Sequence, residues 1–138
     1  MSAVLDASVV VKWFVEDSLS EAAIAARDKW RSPMAPSLLM VEVANAFRRY
    51  VVRGDIELGL ALDNLDLISR IVRTVDHRPF LEEATSLAVR RNHSVQDCLY
   101  VVMALRRGLP LVTADQKLAR KFADLNGLTL RLIGEEPS

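Results

Sequence analysis

Short apolar segments alternate with helical segments along this chain of 138 residues, and this order constrains its fold more than any other feature. Strands are predicted at 3–5, 71–75, 109–113 and 128–133, and a short extended segment at 33–36. Because strands that alternate with helices need crossover connections, the sheet is predicted to be mostly parallel, with helices on both faces. The expected fold class is α/β, a three-layer α/β/α sandwich with a central sheet of four to five strands.

Helix starts and ends are predicted from capping patterns. Ser18 and Glu21 form a capping-box pattern, and Asp55, Ser94 and Asp115 are candidate N-caps. The predicted helices are 9–15, 22–30, 37–53, 55–70, 79–91, 98–105 and 115–125. Gly54, Asn92, Gly108 and Gly127 are candidate stops. Pro36 is expected to open the helix that follows it. Helices 37–53 and 55–70 together form an expected helical hairpin.

The composition fits one soluble domain. The chain carries 18 basic and 18 acidic residues and is 51% hydrophobic, which argues against a disordered chain, a basic nucleic-acid arm and an acidic tail. We expect one domain over 1–133 and a loose tail over 134–138. The single cysteine, Cys98, excludes an intrachain disulfide and a cysteine-rich zinc site. With neither a signal sequence nor a membrane span evident, the expected location is the cytoplasm.

Two acids follow predicted strands. Asp6 ends the first strand and Asp115 lies just beyond the strand 109–113, so parallel pairing would bring both to the same edge of the sheet. In such sheets the binding sites lie beyond the carboxyl ends of the strands. The alternative for either residue, taken singly, is that it only caps the next helix, and capping preferences favour that alternative.

Two further acids lie on predicted helices. Glu42 interrupts the apolar run 38–44, where a carboxylate needs a partner, although Glu42, Asn45 and Arg49 can also form an ordinary solvated stripe. Asp97 lies in a first helical turn, where the helix dipole alone stabilises an anion. Together with the two strand-end acids, these residues form a set that one cleft could gather. Such crowded carboxylates need raised pKa values or a cation, and an all-oxygen donor set selects magnesium or manganese.

Four segments resemble one protein family. They are 4–13 (VLDASVVVKW), 41–46 (VEVANA), 95–104 (VQDCLYVVMA) and 111–115 (LVTAD). In this order and spacing they are similar to the PIN-domain ribonucleases, above all to the toxins of VapBC-type toxin–antitoxin pairs. Gln96 and Cys98 depart from the family pattern around the third acid, and Lys117 stands where some relatives offer a fifth ligand.

The resemblance implies an activity, a site and partners. The activity is a magnesium- or manganese-dependent endoribonuclease with Asp6, Glu42, Asp97 and Asp115 as its acidic cluster. Ser8 and Thr113 would orient the carboxylates or the attacking water, although both hydroxyls could equally serve as helix-cap and strand-end groups. The implied partners are an RNA substrate, a small VapB-like antitoxin that covers the cleft, and a second copy in a homodimer packed through helices. The hairpin 37–70 is where exposed apolar surface is expected.

Other functions and other residues remain open from the sequence. Haloacid-dehalogenase-like phosphatases also place an Asp after the first strand, but Ser8 stands where their second acid would be. Receiver domains need an adjacent acid pair that this chain lacks after its first strand. A PIN-like binding module without catalysis, whose acids only cap helices, is the alternative from another class. His77 and His93 are expected in surface or capping roles, and Trp13 and Trp30 in the core or at an interface.

The zero net charge is consistent with RNA binding if it sums two unlike regions. Without the four acids the chain has 14 acidic residues against 18 basic ones. An acidic metal cleft and a mildly basic surround then predict that RNA affinity depends on the bound metal.

Overall fold

Five parallel strands form one central sheet in the computed structural model, which describes residues 1–135. The strands are β1 (Ser2–Leu5), β2 (Ser32–Pro36), β3 (Arg73–Val75), β4 (Leu111–Thr113) and β5 (Leu130–Leu132). Their order across the sheet is β3-β2-β1-β4-β5, and every neighbouring pair is parallel. The predicted α/β fold with a parallel sheet is therefore confirmed, and β1 lies at its centre.

Seven α-helices flank the sheet in the described part of the chain. They are α1 (Ala7–Val11), α2 (Ser20–Lys29), α3 (Leu38–Val52), α4 (Leu58–Ile71), α5 (Leu81–Arg91), α6 (Val95–Arg107) and α7 (Gln116–Phe122), with a short 3-10 helix (Arg78–Phe80) before α5. As predicted, α3 and α4 pack against each other as a hairpin. None of the helices within residues 1–135 is long and apolar enough to cross a membrane.

The core is organised around α6. All seven residues from 98 to 104 are buried, and this helix packs against α5, β1 and β2. Because the stretch 98–104 is apolar on every side, it must be buried on every side, which explains its central position. Trp13 and Trp30 are also buried, as predicted.

Several predicted helix ends are confirmed by the backbone. The Ser94 hydroxyl accepts a hydrogen bond from the Asp97 N–H (3.2 Å), so Ser94 caps α6. Helices α3, α5 and α6 end just before Gly54, Asn92 and Gly108, whose φ angles are +82°, +51° and +62°. Left-handed backbone of this kind stops a helix and costs glycine least.

The capping box predicted at Ser18 is wrong. Helix α2 begins at Ser20, and the reciprocal hydrogen bonds form one step earlier than the Ser18–Glu21 pattern suggested. The Asp17 carboxylate accepts from the Leu19 N–H (2.7 Å), and the Ser20 hydroxyl accepts from the Asp17 N–H (2.8 Å). A second acid and a second serine within the same turn compete for the amides, and that pair prevails.

The cap predicted at Asp55 is also wrong. Helix α4 begins at Leu58, and Asp55 instead pairs with Arg53 (3.1 Å) in the turn between α3 and α4.

Pro36 ends β2 rather than opening α3, because the extended segment 33–36 extends the sheet as a full strand. Helix α1 is shorter than predicted, and turns follow it at residues 12–14. After β5, Gly134 and Glu135 form a turn, and the rest of the predicted tail, 136–138, lies outside the described residues.

Candidate active site

Asp6 lies at the carboxyl end of the central strand, at the first residue before α1. Its side chain is 5% exposed and makes no hydrogen bond to the amides of α1, so it does not cap that helix. Its Oδ2 instead accepts hydrogen bonds from the hydroxyls of Ser8 (2.8 Å) and Thr113 (2.7 Å). Within residues 1–135 the other oxygen, Oδ1, accepts no hydrogen bond. The capping alternative does not apply to Asp6.

Ser8 and Thr113 join the ends of β1 and β4 around this carboxylate. The Ser8 Oγ accepts from the Ala114 N–H (3.0 Å), and the Thr113 Oγ1 accepts from the Asp115 N–H (3.0 Å). Each hydroxyl then has its own hydrogen left to donate to Asp6. The backbone of the β4–α7 turn therefore fixes both hydroxyls, and they in turn fix the Asp6 carboxylate.

Asp115 does cap its helix. Its Oδ1 accepts from the backbone N–H groups of Lys117 (2.9 Å) and Leu118 (3.2 Å) at the start of α7. This is the alternative that the sequence favoured for a single Asp, and it is confirmed here. It occupies only one of the two carboxylate oxygens.

Asp97 is held by a histidine. Its Oδ2 lies 2.7 Å from the Nε2 of His93, and the His93 ring packs edge-on against Phe122 with ring centroids 5.3 Å apart. His93 was expected in a surface or capping role; these two contacts instead leave its side chain 16% exposed, beside Asp97. The His77 ring forms a hydrogen bond with the Ser37 hydroxyl through Nδ1 (2.9 Å) and forms no hydrogen bond or ion pair with any of the four acids.

Glu42 is held by a tyrosine. The Tyr100 hydroxyl, on α6, donates to the Oε1 of Glu42, on α3, over 2.6 Å. Glu42 is half-buried, whereas Asn45 and Arg49 on the same face of α3 are exposed. The carboxylate that interrupts the apolar run therefore does have the partner that its position requires.

The four acids line one cavity. Its volume is about 330 Å³, and its wall includes Asp6, Glu42, Asp97 and Asp115 together with Ser8, Lys12, Asn45, Arg49 and Tyr50. These residues come from separate parts of the chain and meet because parallel strands present their carboxyl ends at one edge. Of the cavity's two cations, Lys12 pairs with Asp17 (2.8 Å).

Burial and crowding raise the pKa of two of these acids. Burial raises the pKa of Asp6 from 3.8 to about 6; the hydrogen bonds from Thr113 and Ser8 oppose this shift, and the charges of Asp97 and Asp115 add to it. Burial also raises the pKa of Glu42, against the Tyr100 hydrogen bond and with the charges of Asp6 and Asp97. A cation in the cavity would relieve this cost, since opposite charge favours the ionised forms.

The side-chain oxygens of the four acids are suitable ligands for a hard divalent cation, but they do not yet converge on one point. Carboxylate oxygens are the ligands that magnesium and manganese prefer. Yet among residues 1–135 no three His, Cys, Asp or Glu side chains already stand where they could hold a metal ion together. Hydrogen bonds to Tyr100, His93 and the α7 amides each use one oxygen of a carboxylate, so binding would require the remaining oxygens to converge.

Residues 3–123 of the chain match the family model of the PIN domain. Ribonuclease VapC12 of Mycobacterium tuberculosis is 38% identical over 120 residues, which span 85% of this chain and 89% of that protein. Ribonuclease VapC3 of Pyrobaculum aerophilum is 30% identical over 128 residues, which span 91% of this chain and 98% of that protein.

Two crystal structures are similar in fold. PAE2754 from Pyrobaculum aerophilum superposes with a TM-score of 0.68 at 24% identity, over 94% of this chain and 92% of that one. VapBC2 from Rickettsia felis, bound to a DNA fragment from its promoter, superposes with a TM-score of 0.66 at 16% identity, over 96% of this chain and 99% of that one. The arrangement of the sheet and helices is therefore shared with known proteins.

Proposed function

This chain belongs to the PIN-domain family, and we propose that it is a magnesium- or manganese-dependent endoribonuclease that acts as the toxin of a toxin–antitoxin pair. One observation carries the proposal: four acids from separate elements line one cavity at the carboxyl edge of the sheet. RNA is the proposed substrate because two relatives at 30% identity or more are named ribonucleases.

The proposed site residues are Asp6, Glu42, Asp97 and Asp115. When bound among them, a divalent cation supplies charge neutralisation, an activated water and stabilisation of the charge that develops on the phosphoryl group. Asp6 would contribute Oδ1, since Ser8 and Thr113 hold its Oδ2.

The neighbours of these acids position them. Tyr100 fixes the Glu42 carboxylate and His93 fixes Asp97, each through one oxygen, which limits the orientations that the other oxygen can take. Arg49 lines the same cavity and has no ion-pair partner within residues 1–135. Its guanidinium fork matches two phosphate oxygens, so we assign it to the scissile phosphate.

The test is RNA cleavage by the purified chain with its metals first removed by EDTA. We expect cleavage to return with magnesium or manganese and to fall at least a hundredfold in Asp115→Asn. An asparagine keeps the amide-accepting oxygen that caps α7, so this variant removes the charge without removing the cap. Asp124→Asn, an exposed acid paired with Arg91, is the matched control and should cleave normally. Cleavage that persists in EDTA would contradict the proposal.

A binding module without catalysis is the second candidate. It is favoured by the capping role of Asp115 and by the absence, among residues 1–135, of three converging metal donors. The two candidates differ in thermal stability, because a cation that binds only the native state must raise the melting temperature. An unchanged melting temperature in magnesium and manganese, together with no RNA cleavage, would favour the binding module.

We further propose two protein partners in the cytoplasm. The first is a small antitoxin whose peptide covers the acidic cavity, since one solved structure of this fold is a VapBC assembly. The second is another copy of this chain, packed through the α3–α4 hairpin. Val52, Leu58, Leu60 and Leu62 on this hairpin are each more than half exposed.

The homodimer can be tested by light scattering after size-exclusion chromatography. Leu60→Ser with Leu62→Ser should convert a dimer into a monomer, because both remove exposed apolar surface from α4. Val89→Ser on α5, where the side chain is 78% exposed, is the control and should leave the dimer intact. A wild-type chain that is monomeric at high concentration would contradict this assignment.

A further inference from the structure

A second and larger cavity lies between α7 and the edge strand β5. Its volume is about 630 Å³. One face of α7, including Gln116 and Arg120, forms one wall, and all three residues of β5 form the other. Lys29 and Glu135 complete the lining. We call this cavity the α7–β5 groove.

The α7–β5 groove is basic in a chain whose net charge is zero. Of the residues within 1–135 that line it, Lys29, Arg120 and Arg131 are cationic and Glu135 is the one acid. The two arginines are exposed, and neither forms an ion pair or a side-chain hydrogen bond with any residue between 1 and 135. Their five-donor guanidinium groups therefore remain available to an anion, and their planar forks fit phosphate oxygens.

The α7–β5 groove begins next to the acidic cavity. Asp115 lines the acidic cavity and Gln116, the next residue, lines the groove, so their α-carbons are only about 3.8 Å apart. Arg120 lies one helical turn further along α7, about 6 Å from Gln116. The two cavities are therefore lined by neighbouring residues at the start of α7.

We propose that the α7–β5 groove binds the backbone of single-stranded RNA on one side of the scissile bond, with Arg120 and Arg131 on its phosphates. The half-buried side chains of Leu130 and Leu132 offer apolar surface to the bases or riboses. A basic groove combined with such surface is how proteins follow a single strand without reading its sequence. This inference rests on the proposed ribonuclease function, because only a nuclease needs its substrate to pass Asp115. An acidic peptide is the competing ligand.

The experiment is fluorescence anisotropy with a labelled single-stranded RNA, checked by gel to be intact, over a range of salt concentrations. Each phosphate contact on a single strand contributes about 0.7 to the slope of log K against log salt. Arg120→Gln and Arg131→Gln should each reduce this slope by about 0.7, which corresponds to about fourfold weaker binding at ~0.15 M salt. The double variant should bind about fifteenfold more weakly.

Arg73→Gln is the matched control. Arg73 is an exposed arginine on β3, the strand at the opposite edge of the sheet, and it has no ion-pair partner within residues 1–135. This variant should bind RNA as the wild type does. Arginine variants of the groove with unchanged affinity and slope, or an equal loss in Arg73→Gln, would overturn the proposal.

Two further readouts separate this inference from the proposed function. In cleavage assays the groove variants should raise KM and leave kcat unchanged, because they contact RNA away from the reacting phosphate. A wild-type chain that binds RNA through Arg120 and Arg131 but never cleaves it would overturn the proposed ribonuclease function. The proposal that the groove binds RNA would still hold. A poly-glutamate peptide that displaces RNA and binds more tightly than RNA would identify the groove as a peptide site and overturn the RNA proposal.

Discussion

Replacing Asp6 by asparagine should stabilise the metal-free protein at neutral and alkaline pH. Asp6 is 5% exposed, and its pKa is raised from 3.8 to about 6, chiefly by burial. The native state therefore keeps a proton that the unfolded chain releases between about pH 4 and pH 6. Because the native state binds more protons in this window, the free energy of unfolding falls as the pH rises through it.

The size of the effect follows from the shift. A pKa that is about two units higher in the native state than in the unfolded state lowers the free energy of unfolding by about 3 kcal/mol above pH 6. An asparagine is neutral, and its oxygen can still accept the hydrogen bonds from Ser8 and Thr113, so it avoids this loss. For a chain of this length, about 3 kcal/mol corresponds to a rise of about 10 °C in melting temperature.

The assay is thermal or urea unfolding in EDTA at a series of pH values. The gain in Asp6→Asn should be near zero at about pH 4 and should grow to its full size between about pH 4 and pH 6. Asp17→Asn is the control of opposite sign, because the hydrogen bond from Lys12 lowers the pKa of Asp17. That variant should lose stability above about pH 4. An Asp6→Asn variant that is no more stable than wild type at pH 8, or equally stabilised at every pH, would show that the pKa of Asp6 is not raised in the native state.

Three further outcomes are expected. Tyr100→Phe removes the only hydroxyl that donates to Glu42 within residues 1–135. It should destabilise the protein by about 1–3 kcal/mol in urea unfolding and slow RNA cleavage. Full activity would contradict the role given to Glu42. Gly134→Ala should cost about 1–2 kcal/mol, because its φ is +90° and a Cβ would lie 2.8 Å from the Leu19 Cδ2; unchanged urea unfolding would contradict this. Magnesium at a hundred times its Kd should stabilise the wild type by about 2.7 kcal/mol, reversibly with EDTA, and should stabilise Asp6→Asn less; equal melting-temperature shifts would contradict a role for Asp6 in binding.

The strand-end acids were predictable from sequence because their placement follows from topology. Once β1 and β4 are parallel neighbours, Asp6 and the residues after Thr113 must meet at one edge. Asp115 can cap α7 and line the cavity at the same time, because its carboxylate has two oxygens and only Oδ1 accepts from the α7 amides. The sequence presented these as alternatives, whereas the structure combines them.

The partners of the helical acids were not predictable. Tyr100 and Glu42 are 58 positions apart, and their contact depends on how α3 packs relative to α6. His93 precedes Asp97 by four positions, a spacing that could have indicated the contact, but its burial depends on the ring of Phe122 in α7. Such contacts arise from tertiary packing, which single-chain patterns do not carry.

Local capping patterns failed where two polar residues competed within one turn. The pattern at Ser18 and the acid at Asp55 each satisfied the rules for an N-cap, but Asp17 and Arg53 offered alternative partners nearby. The differences between such alternatives are about 1 kcal/mol, and packing decides among them. The basic surround predicted from the charge balance stays a prediction, and the RNA-binding role proposed for the α7–β5 groove would be one form of it.

The most direct test of the acidic site is RNA cleavage in magnesium by Asp97→Asn compared with the wild type. Asp97 lines the cavity but does not cap α6 with its side chain, since Ser94 does so, and an asparagine can keep the contact to His93. The variant should therefore fold with near-normal stability and lose magnesium-dependent cleavage by at least a hundredfold. A folded Asp97→Asn variant that cleaves RNA at the wild-type rate would contradict the proposed site.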